Sequence, residues 1–208
     1  MTEQPIDPLS AAREAAIERL LGETPFPGWS VAALADLLAR HGEPEAEAAR
    51  LFPGGALAMI DAFTARVDRL MAERADLAGR GLTGRVRALI AARLDVMRPH
   101  KEAVRHALGR LALRRHRLAA LRLLARSVDA IWHAAGDEAT DFSWYTKRAT
   151  LAGIYSTTLL YWLTDASPDD AAALAFLDRR LAGLKTIGQV RARLQAHLPC
   201  ASRHVAPS

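Results

Sequence analysis

Apolar residues recur along this chain at intervals of three and four positions, the spacing of one face of an α-helix. Leu34, Leu37 and Leu38 follow it in a segment where Ser30 suits the N-cap and Gly42 suits the position after the last turn. No segment shows the strict alternation of a half-buried strand. The pattern predicts helices over residues 8–21, 31–41, 44–51, 56–75, 85–97, 101–113, 117–135, 143–163, 168–183 and 187–198. We therefore predict an all-α protein, with loops at Gly- and Pro-rich breaks such as residues 79–84.

The composition agrees with this prediction. Half of the 208 residues are apolar, which excludes general disorder, and only 6% are aromatic. The abundance of Ala and Leu over β-branched residues favours helices. A single cysteine, Cys200, excludes an internal disulfide framework. No uncharged run reaches the length of a membrane span, and the first residues, MTEQPIDPLS, do not resemble a signal peptide.

Charge is distributed unevenly along the sequence. Residues 1–80 carry 8 basic and 13 acidic side chains, a net charge of −5. Residues 98–126 carry nine Lys or Arg against Glu102 alone, a net charge of +8, and residues 181–208 carry four basic residues and no acid. A basic stretch of this kind contacts nucleic acid, acidic lipid or an acidic protein, or is the solvated face of a helix.

Three short predicted helices followed by a long one are typical of a helix-turn-helix unit, with a tight turn at residues 41–43. Residues 45–57, EAEAARLFPGGAL, resemble the recognition helix and following turn of TetR-type regulators. The first turn of that helix carries Glu43, Glu45 and Glu47, which would face the phosphates of DNA. We therefore expect a scaffold and no nucleic-acid partner. A ligand-responsive TetR-type regulator that binds DNA is the alternative.

Candidate catalytic residues are scattered. The seven histidines form no Glu-x-x-His pairs of the di-iron type, and the glycines of residues 79–84 do not match a phosphate-binding loop. Cys200 has no evident base beside it. The sequence predicts no enzyme, no metal site and no cofactor.

The most distinctive segment is 128–180, which contains three of the four tryptophans and all three tyrosines. It carries DAIW at 129–132, AGD at 135–137, TD at 140–141, WYTKR at 144–148, LAGIY at 151–155 and FLDRR at 176–180. In this order the motifs closely resemble the accessory lipid-binding protein family of ubiquinone (coenzyme Q) biosynthesis. The resemblance implies a TetR-like all-α fold and a homodimer. It also implies a non-catalytic protein that binds isoprenoid or quinone lipids and presents them to a membrane-associated hydroxylase of the type acting on demethoxyubiquinone.

Two features differ from eukaryotic members of that family. The sequence shows no mitochondrial presequence, so we expect a bacterial member located peripherally on the cytoplasmic face of the membrane. Leu174 stands where relatives commonly have a tryptophan on the partner-facing helix. The expected organisation is a degenerate helix-turn-helix-like unit over residues 1–53, a lipid-binding and dimerisation domain over 54–185, and an amphipathic C-terminal helix and tail over 186–208.

The predicted helix over residues 143–163 has Lys147 and Arg148 in its early turns, for which an acid such as Asp137 or Asp141 is the expected partner. Beyond Arg148 it is apolar or hydroxylic on every side, so we expect burial all round, as a core helix or as core and dimer interface together. Gly153 indicates close approach of another element or a ligand chain.

From these arguments three sets of site residues are expected. The lipid-lining set is Met97, Val128, Ile131, Trp132, Trp144, Leu151, Ile154, Tyr155 and Thr158, for which a packed core is the alternative. The partner-binding set is Asp169, Leu174, Phe176 and Arg179. The membrane-binding set is Lys185, Ile187, Val190, Arg191, Leu194 and Leu198, on a basic amphipathic helix that could instead pack on the core.

Overall fold

The computed structural model describes residues 8–136 and 143–196, with side chains over 9–136 and 145–183. These residues form nine α-helices and no strand, which confirms the all-α prediction. The helices are α1 (Pro8–Gly22), α2 (Val31–Arg40), α3 (Ala46–Leu51), α4 (Gly55–Arg74), α5 (Leu82–Met97), α6 (Lys101–Leu111), α7 (Arg117–Ala134), α8 (Ser143–Thr164) and α9 (Ala171–Ala196). Short 3-10 helices precede α6, α7 and α9 at Arg98–His100, Arg114–His116 and Pro168–Asp170.

Two boundaries differ from the sequence prediction. Helix α5 begins at Leu82, inside the predicted loop, and α9 is continuous where two separate helices were predicted. Gly183, taken as the break, does not have the positive φ that ends many helices, and no proline follows it before residue 199. A single glycine weakens a helix without interrupting its hydrogen bonds. The predicted domain boundary between residues 185 and 186 therefore lies within α9.

The first three helices form a unit that packs on α4, which we call the three-helix unit (residues 8–51). The Ser30 hydroxyl accepts a hydrogen bond from the Ala33 amide at 3.1 Å, and Gly42 adopts a φ of +77° just after α2. Both confirm the predicted caps. Leu34, Leu37 and Leu38 are buried as their spacing predicted. The indole of buried Trp29, just before α2, donates to the carbonyl of Ala103 at 2.8 Å and ties this unit to α6.

Helices α4 to α9 form the bundle. One side of α8 is buried in it, with Leu151, Tyr155 and Trp162 among its core residues. The other side is exposed along Gly153, Thr157 and Leu160, the last with 59% of its surface accessible. The expectation that α8 is buried all round is wrong for the single chain, because no described element covers that side.

The junction of α8 and α9 is fixed by a buried carboxylate. Asp170, which is 4% exposed and has φ of +56°, accepts hydrogen bonds of 2.8 Å from both Arg98 and Lys101. Burial on its own favours the protonated acid, but the hydrogen bonds from Lys101 and Arg98 lower the pKa of Asp170 below its usual value. The contact joins the segment just before α9 to the 3-10 helix at Arg98–His100 and to the start of α6, and so fixes one end of the bundle.

Candidate ligand cavity

An apolar cavity of about 250 Å³ lies inside the bundle, between α4, α5, α6, α7 and α8. Thirteen of its eighteen lining side chains are apolar, so its interior favours hydrocarbon over water. The remaining lining residues are Thr64, Arg93, Ser127, Tyr155 and Ser156. The volume exceeds that of an engineered cavity of about 150 Å³ that binds benzene, and falls below the range of about 300–1,000 Å³ typical of drug-sized ligands. It therefore fits a short hydrocarbon segment.

The sequence of α7 explains one wall of the cavity. Ala120, Leu123, Leu124 and Ser127 are spaced by three, one and three positions, which places them on one helical face, and all four line the cavity. Ala107 on α6 lies across from them in the lining. Because Ala107 and Ala120 have small side chains, the space between these helices is left unfilled.

A buried arginine and its hydrogen-bond partners form part of the wall. Arg93, 3% exposed, donates from Nε to the Tyr155 hydroxyl at 2.7 Å and from Nη2 to the Ser127 hydroxyl at 3.0 Å. Its Nη1 donates to the carboxylate of Asp68. Burial opposes the charged guanidinium, but Tyr155 and Asp68 raise the pKa of Arg93, so it stays protonated. The ion pair neutralises the charge while the hydroxyls of Tyr155 and Ser127 remain at the cavity wall.

The cavity reaches the protein surface beside α8. Leu160 belongs to its lining and is 59% exposed, and the nearby lining residues Leu111 and Leu124 are half-buried. An apolar chain could therefore enter without unfolding a helix.

The predicted lipid-lining residues lie at different places in the bundle. Met97 and Tyr155 line the cavity. Trp132 is 9% exposed, and the ammonium of Lys147 lies 6.0 Å from the centre of its ring. The side chain of Trp144 lies outside the described residues. The others are buried in the core without lining this cavity: Val128, Ile131, Leu151, Ile154 and Thr158.

Sequence reasoning missed most of the cavity wall. Phe63 and Val67 of α4, Val104 of α6 and the apolar face of α7 lie outside the motif-rich segment that drew attention. The available signal was the small and apolar stripe 120, 123, 124 and 127 inside an otherwise basic region.

The predicted partner-binding residues lie at the start of α9 and just before it. Asp169 and Arg179 are exposed, and Leu174 and Phe176 are half-buried. The Phe176 ring stacks on Tyr161 of α8, with centroids 4.8 Å apart and planes within 4°. Together they form an aromatic surface across the α8–α9 pair.

The predicted membrane-binding residues are not visible as side chains. Lys185, Ile187, Val190, Arg191 and Leu194 lie on α9, but their side chains are outside the described residues, as is Leu198 entirely. Arg148 pairs with Asp129, whereas the expected acids, Asp137 and Asp141, are outside the described part of the chain. Among the described residues, no three His, Cys, Asp or Glu side chains group as a metal site, and no helix is long and apolar enough to cross a bilayer.

Comparison with known proteins identifies relatives of this chain. Residues 118–188 match the COQ9 family model. The chain is 37% identical over 171 residues to the mitochondrial ubiquinone biosynthesis protein COQ9 of Xenopus tropicalis, covering 77% of this chain and 54% of that protein. It is 32% identical over 181 residues to the human protein of the same name, covering 83% and 57%. The chain thus spans about half the length of the curated relatives it matches.

The fold also matches a solved structure. The crystal structure of the TetR transcriptional regulator from Nitrosomonas europaea superposes with a TM-score of 0.64 and 25% identity, covering 85% of this chain and 97% of the regulator. The described residues therefore form an all-α protein with a TetR-like fold and an apolar cavity in its bundle. Within that class, the chain is related to the ubiquinone biosynthesis proteins named COQ9, which confirms the family resemblance found in its sequence.

Proposed function

We propose that this protein is a non-catalytic accessory factor of ubiquinone biosynthesis that binds isoprenoid or quinone intermediates. The observation that carries the proposal is the apolar cavity, which combines a hydrocarbon lining with two hydroxyls held by Arg93. Burying apolar ligand surface gains about 25 cal/mol per Å², which is the driving force for capture. The relationship to COQ9 proteins supplies the class of ligand.

The size of the cavity limits what is bound inside the protein. A volume of about 250 Å³ encloses only a short part of a polyprenyl tail. The rest of the tail stays outside, in contact with a membrane or with a groove on the protein surface. This arrangement suits a factor that lifts one end of a lipid towards a second protein.

We propose the aromatic surface at the α8–α9 pair as the contact for a membrane-associated hydroxylase of the type acting on demethoxyubiquinone. Phe176 stacks on Tyr161, and the Arg180 guanidinium lies 4.9 Å from the centre of the Phe176 ring. Aromatic and arginine side chains of this kind are enriched at protein interfaces. The predicted residues Asp169, Leu174 and Arg179 flank this surface.

We propose a homodimer in which the exposed side of α8 packs against a second copy of the chain. A Cβ added at Gly153 meets no atom within 4 Å, so the small residue is not required by contacts inside the described chain. Close approach of α8 from a second copy would require it. The basic C-terminal part of α9 completes the proposal as a peripheral contact with the cytoplasmic face of a bacterial membrane.

The alternative is a ligand-responsive regulator, favoured by the match to a TetR structure. The three-helix unit argues against it, because α3 is only six residues long and has the acid Glu47 in its first turn, with Glu45 exposed just before it. Affinity for DNA comes largely from neutralised phosphates, which acids at this position oppose.

Native mass spectrometry of the purified protein, followed by organic extraction, tests the proposal. We expect a dimer carrying polyprenyl or quinone species. Ala120→Phe fills part of the cavity and should lower the amount of retained lipid at least tenfold, while Ala125→Phe on the exposed side of α7 should retain it. Equal retention by both variants would contradict binding in this cavity. Salt-sensitive binding to duplex DNA without lipid would favour the regulator.

A further inference from the structure

The junction between α6 and α7 forms a surface that the proposed lipid binding does not use, which we call the basic corner. It comprises five arginines and three exposed leucines: Arg110, Leu113, Arg114, Arg115, Arg117, Leu118, Leu121 and Arg122. Leu118 and Leu121 are 62% and 61% exposed, and Leu113 is 40% exposed. In the sequence the nearest acids are Glu102 before it and Asp129 after it.

The positive charge of the basic corner is not neutralised within the described chain. None of its five guanidinium groups has a carboxylate within 4 Å among the described residues. Several arginines elsewhere are paired: Arg126, one turn beyond the corner, contacts Asp61 at 2.5 Å, and Arg40 contacts Glu23 at 2.7 Å. An uncompensated cluster of this kind attracts an anionic partner.

The corner also contains a pocket that suits an anionic group. His106, Arg110 and Arg115 line it, together with Leu113, Gly28 and Trp29. Two arginines thus border one concave space, and a guanidinium group presents a planar fork of donors that suits a phosphate. The pocket therefore accommodates the phosphate of a headgroup.

The exposed leucines identify the kind of anionic partner. Leu118 and Leu121 lie one turn apart on the same side of α7 and face solvent beside Arg122. Nucleic acid accounts for the arginines but leaves these leucines in water, and a second copy of the same corner would bring like charges together. A membrane interface accommodates both, because leucines enter the acyl boundary while arginines stay among the headgroups.

The position of the corner relative to the cavity strengthens this argument. The inner face of α7 lines the cavity through Ala120 and Leu124, while the outer face carries Leu118 and Leu121. Leu111, the next residue after Arg110, is also part of the cavity lining. A bilayer that contacts the corner therefore lies one helix diameter from the cavity.

We propose that the basic corner docks on an anionic lipid bilayer, with its arginines bound to lipid phosphates and its leucines inserted at the headgroup boundary. This surface is separate from the C-terminal part of α9. This proposal rests on the proposed function, because docking at the corner would bring the cavity next to the bilayer that contains the lipid.

Vesicle flotation with the full chain tests the docking. We compare vesicles of phosphatidylcholine with vesicles containing one quarter phosphatidylglycerol, and expect binding only to the anionic vesicles. Replacing Arg114, Arg117 and Arg122 by Gln should weaken that binding on the order of 100-fold, because each arginine near an anionic surface contributes a factor of about five. The double variant Leu118→Ser with Leu121→Ser should weaken it at least tenfold.

Two matched controls make the result specific. A variant with Arg40, Arg50 and Arg74 replaced by Gln loses the same charge elsewhere and should bind vesicles like the wild type. A variant with Lys185, Arg191 and Arg193 replaced by Gln tests the C-terminal contact. If vesicle binding falls only in that last variant, or equally in every triple variant, the basic corner is not the docking surface.

A second measurement separates this proposal from the proposed function. Binding of a fluorescent prenyl probe in detergent solution, without a bilayer, reports the cavity alone. The basic-corner variants should bind this probe like the wild type and have unchanged circular dichroism. Loss of vesicle binding with normal probe binding supports docking by the corner. Normal vesicle binding by the arginine variant overturns the docking proposal, even if the probe binds. Binding of the wild type to polyglutamate but not to anionic vesicles would assign the corner to an acidic protein.

Discussion

The three-helix unit and the basic corner differ in whether their arginines have carboxylate partners. In the three-helix unit two exposed arginines pair with acids of the same unit: Arg40 with Glu23 at 2.7 Å, and Arg50 with Glu47 at 2.5 Å. In the basic corner the arginines have no carboxylate within 4 Å among the described residues. A chain with a TetR-like fold thus carries this cluster of positive charge far along the sequence from α3, the helix that corresponds to the recognition helix of a TetR-type regulator.

The two regions also differ in packing. The core of the three-helix unit is closed by fully buried leucines, whereas the bundle next to the basic corner contains a cavity of about 250 Å³. Closed packing favours a fixed scaffold, and a cavity costs stability unless a ligand fills it. Under the proposed function, the first region is the scaffold and the second binds the ligand.

The largest expected effect comes from breaking the buried ion pair of the bundle. Asp68→Ala leaves Arg93 buried without its counter-ion, and should lower the free energy of unfolding by about 3–5 kcal/mol. Glu47→Gln breaks an exposed pair of the three-helix unit and should leave stability within measurement error. Urea denaturation of both variants measures the contrast, and similar losses would mean that burial does not distinguish the two regions.

A smaller effect is expected at the junction of α8 and α9. Asp170→Asn should cost about 2 kcal/mol at pH 7, because two charged donors lose their acceptor. Since the folded pKa of Asp170 is lowered, its contribution is present above the unfolded pKa of about 3.9 and is lost as pH falls through the folded value. Thermal melts between pH 7 and pH 2 should therefore show the wild type and the variant converging in acid; a constant difference would contradict this role.

The exposed side of α8 gives a still smaller effect that tests the proposed dimer. Gly109 and Gly153 are both helical, and an added Cβ meets nothing within 4 Å at either position. Gly109→Ala should stabilise the protein by about 0.5–1 kcal/mol through helix propensity. Gly153→Ala should instead weaken self-association in sedimentation equilibrium. If the two variants behave alike, α8 is not closely packed against a second copy.

The smallest effect is expected in the three-helix unit. Glu45→Lys combined with Glu47→Lys reverses the charge at the start of α3, far from the cavity lining. Binding of a prenyl probe should be unchanged within twofold. Loss of probe binding in this variant would show that the three-helix unit is more than a scaffold.

Much of the fold was predictable from the sequence because it depends on local patterns. Ser30, Gly42 and the leucines of α2 follow from capping and periodicity, and the structure confirms them. The continuity of α9 was missed, because a glycine interrupts a helix only where its φ is positive and Gly183 does not have such a value.

The cavity was harder to predict than the helices around it. Periodicity identifies which face of a helix is inward, but Ile131 and Leu124 both face inward and only Leu124 borders the space. Whether inward faces meet or leave a gap depends on the sizes of residues far apart in sequence, such as Ala107 and Ala120. Arg93 was not anticipated either, since its partners Asp68 and Tyr155 are distant along the chain.

The cavity has a consequence for the lifetime of the protein in a cell. Its apolar wall lowers the stability of the folded state when no apolar group packs against it. An apolar occupant restores part of that stability, and the folded state gains further as the concentration of free ligand rises. Molecules without a ligand would unfold more often and be degraded sooner, so the steady-state amount of this protein would follow the supply of its lipid.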